Sequence, residues 1–162
     1  MTTIIFLGTE KEFENSVIQY FLKRKSVIIC KKEILISGNK YLINFDDTKN
    51  LNYRKSIYVF GGLKFKKTFK ISDDSICICL GSNKDALGFL YKIKANVITC
   101  GFSDTDTLTF SSLEKKHIIS LQRPIKNIKD QLIEPFEFIN NFKAENDENI
   151  LLLNCLKIIL TQ

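Results

Sequence analysis

The 162-residue sequence predicts one α/β domain: a mainly parallel central sheet flanked by helices, in Rossmann-like or P-loop-like layers, with an antiparallel β extension after residue 101. Short, continuous apolar runs that end at glycine indicate strands buried on both faces of a parallel sheet. Segments with helical spacing lie between some of these runs, which is typical of β-α-β units. The length and the apolar fraction of 44% suit a single domain, residues 1–162, with its own core.

The continuous apolar runs define the predicted strands of the central sheet. These strands are 3–7, 27–30, 57–60, 76–80 and 97–100. Because a single helix separates the first two, they should form a β-α-β unit with parallel strands. A hairpin is predicted between 34–36 and 41–43, since the residues between them include Gly38.

Helical periodicity predicts helices near 10–24 and 84–94. In the first of these, Phe13, Val17 and Phe21 recur at the spacing of one buried helical face. At the start of the second helix, Ser82 and Asp85 have the spacing of a helix N-terminus.

The pattern changes after Gly101. Short β-like runs without intervening helices predict antiparallel strands over 107–139, and Pro124 and Pro135 suit strand ends, where a missing N–H costs least. A final helix is predicted near 148–161. Its apolar residues lie on more than one side, so the helix is either buried in the domain or meets another chain.

Lysine supplies most of the positive charge: the net charge is +6, and only three of the 24 basic residues are arginine. Nucleic-acid binders often favour arginine, whose planar fork pairs with phosphates and base edges. Abundant lysine, asparagine and isoleucine also indicate a coding bias towards AT-rich codons. The charge therefore has two explanations, codon bias and an anionic partner, and nucleic acid is not the expected partner.

Five cysteines are present, and most lie within apolar runs. Cys77 and Cys79 are one residue apart, which is not the C-x-x-C spacing of a redox pair or a zinc knuckle. We expect buried thiols in a reducing compartment. The apolar run 4–7 is too short for a signal peptide, and no stretch approaches the ~20 apolar residues of a membrane helix. The predicted location is therefore the cytoplasm, without membrane contact.

Two consecutive segments carry a family resemblance. Residues 76–87 read ICICLGSNKDAL, a strand, a polar turn and a helix start, and residues 94–103 read KANVITCGFS. Together with the β-like runs up to residue 138, they resemble the later part of the central ATP-binding domain of Mur ligases, the peptidoglycan amino-acid ligases. In that family a strand and a helix precede a V-I-T-x-G-x-S strand, and a small antiparallel segment follows.

The phosphate loop of that family, G-x-x-x-x-G-K-[ST], is missing from this sequence. Where such a loop would begin, Gly8 and Thr9 are followed by Glu10, whose carboxylate would repel phosphate. The resemblance therefore implies a reduced relative without ligase activity, and no catalytic residue is carried over from it.

The carboxyl ends of parallel strands are where α/β domains bind ligands. Residues at these predicted ends are candidate ligand-binding residues: Gly8, Thr9, Gly61, Gly62, Gly81, Ser82 and Gly101. Beyond the last strand, Asp104 and Asp106 are a candidate pair of oxygen ligands for Mg²⁺. The alternative is an ordinary turn, in which the aspartates bond the backbone. The single histidine, His117, is flanked by lysines, and a surface position is expected rather than the role of a catalytic base.

The segment 64–70 is a candidate nucleic-acid site, because lysines alternate with two phenylalanines. The lysines are Lys64, Lys66, Lys67 and Lys70. Phosphates attract lysine, and bases can stack on Phe65 and Phe69. The alternative is that the aromatic rings fill the core while the lysines face water.

The leading interpretation is a non-catalytic interaction or regulatory module, because the sequence shows no phosphate loop, catalytic triad or metal cluster. Its expected partner is a protein or a second copy of the chain, bound through the helix 148–161. One alternative is a nucleotide- or small-anion-binding domain, or an enzyme, that uses the strand ends. The other is a weak nucleic-acid binder through the segment 64–70. The pattern indicates no particular cofactor.

Overall fold

The computed structural model describes residues 2–22, 27–30, 33–36, 41–45, 55–67, 69–114, 117–144 and 146–161. Within these ranges the chain forms twelve strands and three helices, which confirms the predicted α/β class. The strands are β1 (Thr2–Leu7), β2 (Val27–Cys30), β3 (Glu33–Ile36), β4 (Tyr41–Phe45), β5 (Ile57–Phe60), β6 (Ile76–Leu80), β7 (Val97–Cys100), β8 (Leu108–Ser112), β9 (Ile118–Leu121), β10 (Ile125–Lys126), β11 (Leu132–Ile133) and β12 (Phe136–Ile139). The helices are α1 (Lys11–Leu22), α2 (Lys84–Lys92) and α3 (Asp147–Leu160).

Ten of the strands form one sheet, in the order β12-β9-β8-β7-β6-β5-β1-β4-β3-β2, and β10 pairs with β11 in a separate hairpin. Across the middle of the sheet, neighbouring strands from β4 through β1, β5, β6 and β7 to β8 pair in parallel. The predicted antiparallel extension is present at one end, where β9 pairs with both β8 and β12. The predicted hairpin of β3 and β4 is also confirmed.

The strand β2 differs from its expected position. The sequence predicts that β1, α1 and β2 form a β-α-β unit in the parallel core. Instead, β2 lies at the far edge of the sheet and pairs with β3 in antiparallel orientation. The strand that pairs in parallel with β1 on this side is β4. The cause is the meander from β2 through β3 to β4, which brings β4 back beside β1 and moves β2 outwards by two positions.

Side chains of the strands alternate between two apolar layers, one on each face of the sheet. On the first face, Ile4 and Phe6 of β1 pack with residues of α1 and α3. On the second face, Ile5 and Leu7 pack with α2 and with Phe65, Phe69 and Ile71 of the connection between β5 and β6. The sheet is therefore covered on both sides, and this explains why its central strands are continuously apolar.

Helix α3 is buried along most of its length. Eleven of its 14 residues are buried, and the helix contacts β6, β7 and β8. Asn146 caps its first turn, because Oδ1 accepts a hydrogen bond from the N–H of Asn149 at 2.8 Å. Burial within the domain confirms the first explanation for its apolar sequence, whereas self-association through α3 stays a prediction. None of the helices in the described ranges is both long and apolar enough to cross a membrane.

Candidate functional site at the carboxyl edge of the sheet

The carboxyl ends of β1, β5, β6 and β7 lie side by side, and the candidate ligand-binding residues follow them along this edge. Backbone hydrogen bonds connect successive ends. The N–H of Gly61 donates to the carbonyl of Leu7 at 2.9 Å, and the N–H of Gly81 donates to the carbonyl of Cys100 at 2.8 Å. Topology thus brings residues from four separate segments of the chain to a single edge.

The loops after β1 and β5 are packed directly on each other. Gly8 has a φ of +61°, and its carbonyl accepts a hydrogen bond from the N–H of Leu63 at 2.8 Å. A Cβ at Gly8 would overlap the carbonyl of Leu63, and a Cβ at Gly61 would overlap the carbonyl of Gly8. Glycine is therefore required here for contact between two loops, and the backbone of the chain fills the space that a ligand would need.

A carboxylate of the chain fills the corresponding space beyond β6 and β7. Asp106 is only 6% exposed, and a Cβ at either Gly81 or Gly101 would overlap its carboxylate oxygens. The N–H of Ser103 donates to Oδ2 of Asp106 at 3.1 Å. The carboxylate is thus fixed beyond the ends of β6 and β7, on the edge of the sheet where parallel α/β domains bind ligands.

The two aspartates of the candidate Mg²⁺ pair face different environments. Asp106 points between the strand ends, whereas Asp104 is exposed and accepts a hydrogen bond from Oγ of Ser103 at 3.4 Å. The N–H of Thr105 also donates to Oγ of Ser103, at 3.2 Å, so the geometry is that of a turn closed by side chains. The described residues include no group of three or more His, Cys, Asp or Glu side chains placed to hold a metal ion.

The hydroxyl groups at the edge are bonded within the chain. Oγ of Ser82 donates to Oε1 of Glu148 in α3 at 2.7 Å, and Oγ1 of Thr9 donates to Oε1 of Glu14 in α1 at 3.4 Å. Sequence reasoning missed Asn83, which connects two loops. Its Oδ1 accepts the N–H of Ala86 at the start of α2, at 3.0 Å, while its Nδ2 donates to the carbonyl of Gly61 at 2.6 Å.

Gly62 differs from the other strand-end glycines. It is exposed, and a Cβ added there would meet no other atom within 4 Å. This position is therefore open to solvent.

The phenylalanines and the lysines of the segment 64–70 lie in different environments. The rings of Phe65 and Phe69 are half-buried and pack on the second face of the sheet, with centroids 5.0 Å from Phe60 and 6.0 Å from Tyr58, respectively. The lysines on either side of these rings are exposed. This arrangement matches the alternative in which the aromatic rings fill the core.

Lysines from α2 and its flanking turns add to those of the segment 64–70. Both segments cover the second face of the sheet, and we call their exposed lysines the lysine face: Lys64, Lys66, Lys67, Lys70, Lys84, Lys92 and Lys94. Lys67 forms an ion pair with Asp85. Among the described residues, no ion pair is found for the other six.

Two thiols and the single histidine are the remaining side chains that could act as a nucleophile or a base, and each packs against other parts of the chain. Burial raises the pKa of the Cys77 and Cys79 thiols to about 12, so both are protonated at neutral pH and poor nucleophiles. His117 is half-exposed; its Nδ1 lies 4.0 Å from Oδ1 of Asp147, and its ring packs edge-on against Phe110 at 5.4 Å. This position agrees with the expected surface histidine.

A concavity lies on the first face of the sheet. It has a volume of about 870 Å³ and runs between α1, the segment after β12 and α3. We call it the α1–α3 groove; Glu12, Gln19, Tyr20, Phe142, Lys143 and Lys157 are among its lining residues. Sequence reasoning missed it, because these residues come from three distant parts of the chain and form no local motif.

Comparison of the chain with known protein families and with curated proteins finds no matching family model and no matching sequence. The resemblance to Mur ligases therefore stays a prediction from the residues that carry it.

Proposed function

We propose that the protein is a non-catalytic interaction module, and that its partner is a protein with an acidic surface. The observation that carries the proposal is the closure of the carboxyl edge by the chain itself. The carboxylate of Asp106 occupies the space beside Gly81 and Gly101, and the backbone of Leu63 occupies the space beside Gly8.

This closure disfavours the nucleotide-binding alternative for a physical reason. Phosphate sites in α/β domains need open backbone N–H groups at a strand end or helix start. Here the side chain of Asn83 already accepts the N–H of Ala86 at the start of α2. In addition, the buried carboxylate of Asp106 would repel an anion that approached the neighbouring strand ends.

The lysine face indicates the charge of the partner. Residues 61–96 contain seven lysines and three aspartates, and so carry +4 of the net charge of +6. Charge complementarity of this kind steers association and selects partners. Because Phe65 and Phe69 pack on the sheet and residues 61–96 contain no arginine, bases would find neither an open phenylalanine ring nor a guanidinium fork, and Tyr91 is the one strongly exposed aromatic ring among the described residues of this range. These features favour an acidic protein over a nucleic acid.

A charge-reversal pair of variants tests the proposal. The first changes Lys64, Lys66 and Lys70 to Glu, and the control changes Lys11, Lys126 and Lys129, which are also exposed, to Glu. Both variants have the same net charge. Fluorescence anisotropy measures the affinity for a labelled poly-glutamate peptide at low salt. We expect this affinity to fall about tenfold or more in the first variant only.

Three results would contradict the proposal. An equal loss in both triple variants would mean that total charge, rather than the lysine face, attracts the peptide. Tighter binding of a single-stranded oligonucleotide than of poly-glutamate, at near-physiological salt, would favour the nucleic-acid alternative. A rise in melting temperature with ATP, GTP or NAD, with or without Mg²⁺, would favour a nucleotide site, since a ligand that binds the native state stabilises it.

A further inference from the structure

The α1–α3 groove has a wall that is held in place by buried amide groups. Asn154 is 1% exposed in the middle of α3, and its Nδ2 donates to Oδ1 of Asn140 at 2.9 Å and to the carbonyl of Ile150 at 2.8 Å. Asn140 bonds both backbone groups of Phe142: its Oδ1 accepts the N–H and its Nδ2 donates to the carbonyl, each at 2.8 Å. Because Asn140 bonds both backbone groups of Phe142 and is itself bonded to the buried Asn154, Phe142 is held in place before any ligand arrives.

The ring of Phe142 provides an apolar surface beside a cation. Its edge-on contact with Tyr20 of α1 has a centroid distance of 5.2 Å, and Nζ of Lys157 lies 5.8 Å from its centroid. Lys157 is half-buried and is the only charged residue of α3 after Glu148. Within the described part of the chain, no carboxylate pairs with it. The groove therefore combines an aromatic wall with a cation that lacks a counter-ion.

We propose that the α1–α3 groove binds a small aromatic carboxylate, with its ring against Phe142 and its carboxylate at Lys157. The volume of about 870 Å³ lies within the usual range of ~300–1,000 Å³ for small-molecule sites. Partial burial weakens the competition of water for the ammonium group, which favours an ion pair with a bound carboxylate. This site lies on the face of the sheet opposite the lysine face, and it does not depend on the proposed protein partner.

Two features favour a singly charged ligand over a phosphate. The negative charge of Glu12 offsets the positive charge of Lys143 in the lining, so the three charged lining residues leave a net charge of only one, that of a single lysine. Lys157 belongs to the last turn of α3, where the helix dipole presents its negative end. Both features act against a dianion more strongly than against a carboxylate.

The position of Lys157 also gives it a structural role, because a cation in the last turn stabilises a helix. The test must separate binding from this role. Isothermal titration of the full chain with indole-3-acetate, and with its neutral analogue indole-3-acetamide, does so. The variant Lys157→Met removes the charge but keeps the apolar stem, and Lys129→Met, at an exposed position, is the matched control.

We expect indole-3-acetate to bind with a Kd of about 0.1–1 mM and the neutral amide to bind about tenfold more weakly. Lys157→Met should weaken binding of the acetate about tenfold, while leaving the amide, and the acetate in Lys129→Met, unchanged. Equal affinity for indole-3-acetate and indole-3-acetamide would overturn the proposal, as would no heat of binding up to about 10 mM indole-3-acetate. AMP binding that is tighter than indole-3-acetate binding would overturn it as well. If Lys157→Met does not fold, the comparison of indole-3-acetate with indole-3-acetamide in the unmodified chain still tests whether the groove prefers a negatively charged ligand.

Discussion

The side-chain amide of Asn154 donates to Oδ1 of Asn140 at 2.9 Å, and this bond joins the buried middle of α3 to the segment that follows β12. Since Asn154 is almost fully buried, replacing it with Ala should remove one of the two hydrogen bonds that Oδ1 of Asn140 accepts. We expect Asn154→Ala to lower the free energy of unfolding by about 1–3 kcal/mol in urea titrations. A double-mutant cycle with Asn140→Ala should show a coupling of at least about 0.5 kcal/mol. Additive effects would mean that the two amides act independently.

The glycines predict opposite effects of the same substitution at two positions. Gly8→Ala would place a Cβ on the carbonyl of Leu63 at a positive φ, and should cost at least about 2 kcal/mol of stability. Gly88→Ala lies in α2 with no atom within 4 Å of the new Cβ, and should raise stability by about 0.5–1 kcal/mol. Thermal unfolding of both variants provides the comparison. Similar melting temperatures would contradict the close packing of the β1 and β5 loops.

The environment of Phe69 predicts a loss of stability without a change in nucleic-acid binding. Its ring lies 6.0 Å from Tyr58 and 5.6 Å from Phe89. Because it is half-buried, Phe69→Ala should cost about 2 kcal/mol, somewhat less than a fully buried phenylalanine. Urea unfolding measures this loss, and a gel shift with a single-stranded oligonucleotide is the companion assay. A fall in oligonucleotide affinity with stability unchanged would show that the ring stacks on bases.

The buried thiols predict a dependence of stability on alkaline pH. In the unfolded chain Cys77 and Cys79 ionise near their ordinary pKa of 9.0, whereas burial raises their folded pKa to about 12. Between these values the unfolded state binds fewer protons, so the free energy of unfolding should fall as pH rises from about 9 towards 12, and should be unaffected below about 8. Urea titrations at pH 7 to 10 measure how steeply the free energy of unfolding falls with pH. A Cys77→Ala/Cys79→Ala variant should have a shallower slope, and an unchanged slope would assign the effect to other groups.

Asn149 predicts that removal of a polar group stabilises the protein. Its side chain is 7% exposed, and its Nδ2 finds no hydrogen-bond partner among the described residues. A buried donor without an acceptor costs about 1–3 kcal/mol, and an apolar side chain of similar shape avoids this cost. Asn149→Leu should therefore raise the melting temperature, while Asn154→Leu, at a bonded asparagine in the same helix, should lower it. A lower melting temperature for Asn149→Leu would show that its amide has a partner in solution.

Local sequence patterns predicted the elements better than their arrangement. The runs at 76–80 and 97–100 match β6 and β7, because continuous apolar residues next to glycine are a property of the segment itself. The place of β2 was not predictable in this way, since it depends on which strand pairs with β1. The role of Asp106 was also not predictable from local sequence, because its contacts with Gly81 and Gly101 depend on the packing of a turn against two strand ends. Long-range contacts of this kind leave no periodic signal in the sequence.

The shared apolar layer of α1 and α3 has a consequence for biosynthesis. Phe13, Val17 and Phe21 of α1 belong to the same cluster as the buried residues of α3, although more than a hundred positions separate the two helices in the sequence. During translation, the part of the first face that α3 covers, over β6, β7 and β8, therefore stays uncovered until α3 has left the ribosome. A nascent chain arrested before α3 would expose apolar side chains of β6 and β8 to solvent, and such chains should engage chaperones or aggregate. Chains truncated before residue 147 should be cleaved by protease much faster than the 162-residue chain, which includes α3.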